Sequence, residues 1–147
     1  MGGDGIAGHA FKGRHRDEAG PQARTRLVQE YSAVTGACLA VTRARYMEVG
    51  GLDQDNLAVA YNDIDFCLRL RELGYRNIWT PYAQLYHYES YSRGPDSASQ
   101  NVDRYRAEAD YMRRRWGSVL ARDPHYSPNF ARGLYSFELA WPPYPVD

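Results

Sequence analysis

The chain has 147 residues, enough for one domain with a modest core. Its 18 cationic and 18 acidic side chains cancel, which excludes a general electrostatic attraction for nucleic acid or an anionic membrane. No apolar run approaches the ~20 residues of a membrane span and no signal-peptide pattern opens the chain, so the composition reads as a cytoplasmic protein.

Residues 1–32 begin with Gly2-Gly3-Asp4-Gly5-Ile6-Ala7-Gly8-His9-Ala10-Phe11-Lys12-Gly13. This stretch is too rich in glycine to form a core alone. It also lacks the preceding strand and following helix of a phosphate-binding loop. Lys12 is the only lysine; every other cation is arginine, which suits bidentate contact with phosphate or carboxylate, although genomic base composition explains the bias equally well. Arg14 to Arg26 reads as a mobile surface loop, and Leu27 to Ser32 as a short helix or a lead-in. Ala33 to Val41 is a continuous small, apolar run, and its length and β-branched content predict a buried strand. Thr35-Gly36 at its start would let a backbone or ligand approach closely. Thr42 is then the predicted N-cap of a helix carrying Tyr46, Met47 and Val49, stopped by Gly50-Gly51. Cys38 and Cys67 both sit in apolar contexts and read as buried thiols in a reducing compartment.

After a connecting loop with Asp53-Gln54-Asp55 comes Ala60-Tyr61-Asn62-Asp63-Ile64-Asp65-Phe66-Cys67-Leu68-Arg69-Leu70-Arg71, an amphipathic helix ending at Gly74. Two readings of its start are open: an ordinary cap with a first-turn acid, or a catalytic base on a rigid element. On a helix, residues two apart point about 200° away from each other, so Asp63 and Asp65 cannot jointly grip one ion. One of them is expected to face a cleft, and the other to cap or to pair with Arg69.

Arg76 to Tyr88 is the second predicted strand, broken or placed at an edge by Pro81. His87 at its end, beside the Glu89 to Ser99 loop with Arg93-Gly94, is placed to ligate a metal or bind an anionic group, and Arg93 to clamp a phosphate. A helix over about 100–116 follows, with Val102, Tyr105, Ala109, Met112 and Trp116 on one stripe. The tail over 121–147 carries Pro124, Pro128, Pro142 and Pro143 among aromatic residues and should wrap the body. Thirteen tyrosines and three tryptophans would suit stacking on sugars or packing against a partner.

Taken in order, Thr35-Gly36-Ala37-Cys38-Leu39-Ala40-Val41, Val49-Gly50-Gly51-Leu52-Asp53, Asn62-Asp63-Ile64-Asp65-Phe66-Cys67-Leu68-Arg69 and Gly74-Tyr75 resemble family 2 glycosyltransferases of the GT-A fold. Trp79-Thr80-Pro81, His87-Tyr88-Glu89-Ser90 and Ser92-Arg93-Gly94 continue the resemblance, which covers roughly residues 5–143 and looks closest to the bacterial surface-polysaccharide, rhamnosyltransferase-like branch.

The resemblance implies an α/β fold: the C-terminal part of a GT-A domain over 33–120, with a small mixed sheet, about three helices and an extended tail. It implies that Asp63 is the general base of an inverting transfer from a nucleotide-sugar donor to a saccharide or lipid-linked acceptor. Asn62 and Asp65 would stand beside it, Thr35 and Gly36 near the donor sugar, and His9 and Lys12 on the acceptor side. Arg93 would touch phosphate, and His87 would complete a site for Mg²⁺ or Mn²⁺. The main D-x-D ligands of such enzymes belong to a nucleotide-binding half that these residues do not contain. The expected protein is therefore an acceptor-side piece, inactive alone, whose bare sheet edge at 33–41 favours a homodimer. The alternative is a non-catalytic module that binds glycan or a partner.

Overall fold

Two helices meet at the centre of the fold and bring the rest of the chain with them. The computed structural model describes residues 5–11, 13–88, 101–131, 137 and 139–142. They form strand β1 (Gln29–Tyr31), helix α1 (Arg43–Glu48), helix α2 (Asn62–Glu72), strand β2 (Asn77–Trp79) and helix α3 (Val102–Ala121), with 3-10 turns at Pro21–Arg26 and Gly36–Cys38. This is a mixed α/β arrangement whose two strands pair antiparallel, Gln29 opposite Trp79 and Tyr31 opposite Asn77.

The predicted stripe on α3 is what packs. Ala109, Met112 and Trp116 are buried against Leu57 and against Leu68 of α2, and Ile64 and Tyr61 flank that contact. Ile6 completes the cluster and is fully buried. The glycine-rich opening is thus pinned at one isoleucine, whose enclosed side chain removes apolar surface from water.

Several predicted elements differ. Ala33 to Val41 is not a buried strand: Gly36–Cys38 is a 3-10 turn, and Thr35 to Cys38, Ala40 and Val41 are exposed. Small residues there let the chain run close past α2 without entering a sheet. Cys38 is accordingly exposed, and only Cys67 is buried. With no strand at 33–41, the edge that would have favoured a homodimer is not present. Leu27 to Ser32, expected as a helix or lead-in, supplies β1 instead. The second strand is short, because the chain turns at Pro81-Tyr82-Ala83 and runs on exposed to Tyr88. The Glu89 to Ser99 loop lies outside the described residues.

The α1 helix follows its prediction closely. Thr42 caps it by accepting the Arg45 N–H at 3.4 Å, and Gly50 and Gly51 close it at φ of 79° and 73°. A polar knot ties the remaining elements together. The Asn77 amide donates to the carbonyls of Ser32 at 3.0 Å and Cys67 at 3.1 Å. Arg71 donates to the Ser32 hydroxyl at 3.0 Å, and that hydroxyl donates in turn to Asp123 after α3. Within the tail, Phe137 stacks on Phe11 and meets Tyr126 and Phe130, which sets these rings against the N-terminal segment.

Candidate active site

The start of α2 is built without a side-chain cap. Tyr61 precedes it in the left-handed region (φ 63°, ψ 4°), a conformation that costs a non-glycine residue roughly 1–2 kcal/mol. Helix α3 holds it there. The Glu108 carboxylate, buried to 3% exposure, accepts the N–H groups of Val59 at 3.1 Å and Ala60 at 2.8 Å. Arg104 donates to the same carboxylate at 2.9 Å, and the hydroxyls of Tyr61 and Tyr105 bond to each other. Neither Asn62 nor Asp63 caps the helix; they are its first two residues.

Asp63 is half-buried, with Oδ2 accepting the Gly36 N–H at 2.7 Å and Oδ1 accepting the Ile64 N–H at 2.9 Å. A carboxylate has about four acceptor positions, so two backbone donors fix its direction and leave capacity for a hydroxyl. Gly36 makes this approach because it has no side chain. A Cβ there would lie 3.1 Å from Asp63 Cβ and 3.4 Å from its Oδ2. Gly36 thus lies against Asp63, while the Thr35 hydroxyl turns back to accept the Ala37 N–H at 3.3 Å.

One turn along, Cys67 places its thiol 3.7 Å from the Val34 carbonyl. Burial, and secondarily the charge of Asp63, push that thiol up to about 11, so it is a neutral filler beneath the carboxylate.

Asp65, expected beside the substrate, is instead fully buried. It accepts from Arg69 Nε at 2.7 Å and from the Trp116 indole N–H at 2.9 Å, with Arg115 3.5 Å away. Arg69 continues through the Val49 carbonyl and, at 2.6 Å, the Gly51 carbonyl, so this acid anchors α1 and α3 to α2. Helical geometry divides the two acids as expected, one outward and one paired with Arg69.

The other expected residues are scattered. Asn62 is half-buried beside Asp63, and His9 is exposed on the N-terminal segment. His87 is exposed on the run after the Pro81 turn, well past the end of β2. Lys12 and Arg93 lie outside the described residues. Among the described residues no three His, Cys, Asp or Glu side chains gather to hold a metal ion. In the Asp53-Gln54-Asp55 loop, Asp53 accepts from the Asn56 backbone at 3.0 Å and the Tyr111 hydroxyl at 2.8 Å, which makes it a turn-former. Two shallow surface hollows, of about 250 and 380 Å³, are lined by other residues than Asp63.

Glu108 and the hydroxyl contact of Tyr105, otherwise expected as a stripe residue, are what sequence reasoning missed. The signal available was a charged residue beside the apolar stripe of α3, with Arg104 four residues before it. That pattern marks burial of a paired acid, not which N–H groups it accepts.

No family model matches the chain, and no solved structure matches it. Sequence relatives do. An uncharacterized protein of Sinorhizobium fredii, y4gI, is 46% identical over 138 residues, 94% of this chain and 15% of that protein. The O-antigen biosynthesis protein RfbC of Myxococcus xanthus is 31% identical over 126 residues, 85% of this chain and 10% of its own length. The N-acetylglucosaminyl-diphospho-decaprenol L-rhamnosyltransferase of Mycobacterium tuberculosis is 33% identical over 66 residues, 45% of this chain and 21% of the enzyme. The chain is thus distantly related to proteins named for O-antigen biosynthesis and rhamnosyl transfer, and spans between 10% and 21% of the length of these relatives.

Proposed function

We propose that the chain is the C-terminal, acceptor-side part of an inverting glycosyltransferase of the GT-A, family 2 type, acting in cell-surface polysaccharide synthesis with Asp63 as its general base. The observation that carries this reading is the Asp63 carboxylate, fixed by the Gly36 N–H at 2.7 Å on the first turn of a core-packed helix, with acceptor capacity left over. In the proposed step Asp63 takes the proton of an acceptor hydroxyl while that oxygen bonds to the anomeric carbon of the donor sugar. The bond from that carbon to the nucleoside diphosphate breaks, and its electron pair leaves on the diphosphate.

The relatives' names favour a lipid-linked saccharide as acceptor and a deoxyhexose such as rhamnose as the sugar. In this reading Asn62, Thr35 and Gly36 border the reacting groups, His9 and Lys12 serve the acceptor, and Arg93 binds phosphate. Asp65 serves from behind, by fixing α2. The donors among the described residues do not fit a Mg²⁺ or Mn²⁺ site by themselves, so the reading assigns the principal ligands of such an ion to residues outside this chain. It likewise places the work at the cytoplasmic side, where nucleotide sugars are made; among the described residues no helix is long and apolar enough to cross a membrane.

In a transferase complete with its nucleotide-binding half, Asp63→Asn is expected to abolish transfer and leave donor binding nearly intact. Substantial turnover by that variant would sink the assignment. A second reading, a glycan-binding module, draws on Tyr82 and Tyr86, 84% and 78% exposed, whose rings could stack on sugars. Titrating the chain with oligosaccharide separates the two, because saturable glycan binding lost in Tyr82→Ala but kept in Asp63→Asn belongs to the module.

A further inference from the structure

Asp63 can direct its free lone pairs outward only if the turn before it is held. That turn is an unusual piece of backbone. Tyr61 is left-handed without being glycine, and the N–H groups of Val59 and Ala60 point away from any strand or helix partner. Both are taken by one carboxylate on another helix, in a buried position where an unmatched acid is costly. Arg104 supplies the counter-charge from four residues earlier on α3. Tyr105, between the two, reaches Tyr61 through ring and hydroxyl, with ring centroids 5.6 Å apart. Ala109 and Met112 beside it fill the core, whereas Glu108 spends both oxygens on the backbone of one turn.

We propose that Glu108, with Tyr105 one turn before it, is a positioning residue for Asp63. From α3 the pair fixes the left-handed turn at Tyr61, sets where α2 begins, and so aims the Asp63 carboxylate at the Gly36 N–H. The catalytic meaning rests on Asp63 being the base, whereas the geometric claim does not. Glu108 touches neither reacting group and acts through Asp63 alone.

The test uses the whole ¹⁵N-labelled chain and reads the Gly36 amide by NMR as pH is lowered. Because that N–H donates to Asp63, its resonance moves when Asp63 takes up a proton. Cys67, the titratable neighbour one turn along, stays neutral throughout the acid range. In Glu108→Gln one backbone N–H meets an amide N–H in place of an oxygen. The Gly36 displacement should be lost, and the Val59 and Ala60 amides should exchange faster. Met112→Ala, which empties the core but leaves the Glu108 oxygens and the Tyr105 hydroxyl in place, should keep the displacement at its original amplitude. If Glu108→Gln keeps the displacement at the amplitude of that control, the proposal is overturned. Should Glu108→Gln fail to fold, Tyr105→Phe decides: a diminished Gly36 displacement supports the pair, and an unchanged one refutes it. Turnover by an Asp63→Asn transferase would remove the base assignment and leave this titration untouched, so the two failures are distinguishable.

Discussion

Asp63 and Asp65 stand two residues apart on one helix and meet opposite surroundings. The inner acid is wholly enclosed, with Arg69 and Trp116 on its oxygens and Arg115 close by. The outer acid has only two backbone N–H groups and a half-open side. A fixed side chain needs a fixed base, and the inner face of α2 supplies one by joining α1 and α3. The contrast shows how a single helix separates anchoring from chemistry: the side that is saturated with partners makes the other side's free lone pairs geometrically useful.

The contrast can be broken most severely at Asp65. Asp65→Ala leaves a buried guanidinium and an indole N–H without their acceptor, which should lower unfolding stability by about 3–5 kcal/mol in urea titration. Asp63→Asn keeps an oxygen for the Gly36 N–H and gives up the acceptor of the Ile64 N–H on a half-buried side, so it should cost less, about 1–2 kcal/mol in the same assay. Equal losses at the two positions would erase the distinction.

Ile6→Ala comes next, since it empties a fully enclosed site against Leu57, Leu68 and Met112. A loss of about 2–5 kcal/mol is expected. An unchanged urea midpoint would detach the N-terminal segment from the inner region.

The smallest effect lies at the rim, in Asp53. Burial, the largest single influence, opposes its ionisation, but the Tyr111 hydroxyl, the Asn56 donors and Arg115 together outweigh it and hold the carboxyl below its usual range. The unfolded carboxyl titrates near ~3.9, so Asp53 adds stability above that pH, and the gain disappears as pH falls through the lower folded value. Thermal midpoints taken from neutral to acid pH should therefore fall less steeply for Asp53→Asn. A parallel acid limb would show that Asp53 contributes nothing measurable.

The helices were legible because their causes are local. Thr42 and Gly50-Gly51 bracket α1, the stripe of α3 repeats at helical spacing, and the division of Asp63 from Asp65 follows from an angle. Of the strands only β2 was legible, as the opening of the longer run expected over Arg76 to Tyr88. Ala33 to Val41 has strand-like composition, yet it joins neither edge of the β1–β2 pair. The burial of Ile6 was not legible among glycines, because nothing local reveals the site it fills beside α2 and α3. The contacts that define the site were likewise out of reach: Trp116 with Asp65 spans 51 residues and Glu108 with Ala60 spans 48. Spacing cannot report such pairs, whereas the resemblance in order of motifs brought Thr35-Gly36 and Asp63 into one expectation.

The narrow gap at Gly36 also limits which sequences can carry this arrangement. With 3.1 Å between a would-be Cβ and Asp63 Cβ, a side chain at position 36 requires Asp63 to give way by a few tenths of an ångström. Positions 36 and 63 therefore cannot vary independently while the carboxylate stays where it is. Glycine at the first and an acid at the second, 27 residues later, form a single two-letter word. A related chain that keeps the acid but places a larger residue at the glycine has either moved its carboxylate or lost the contact that directs it.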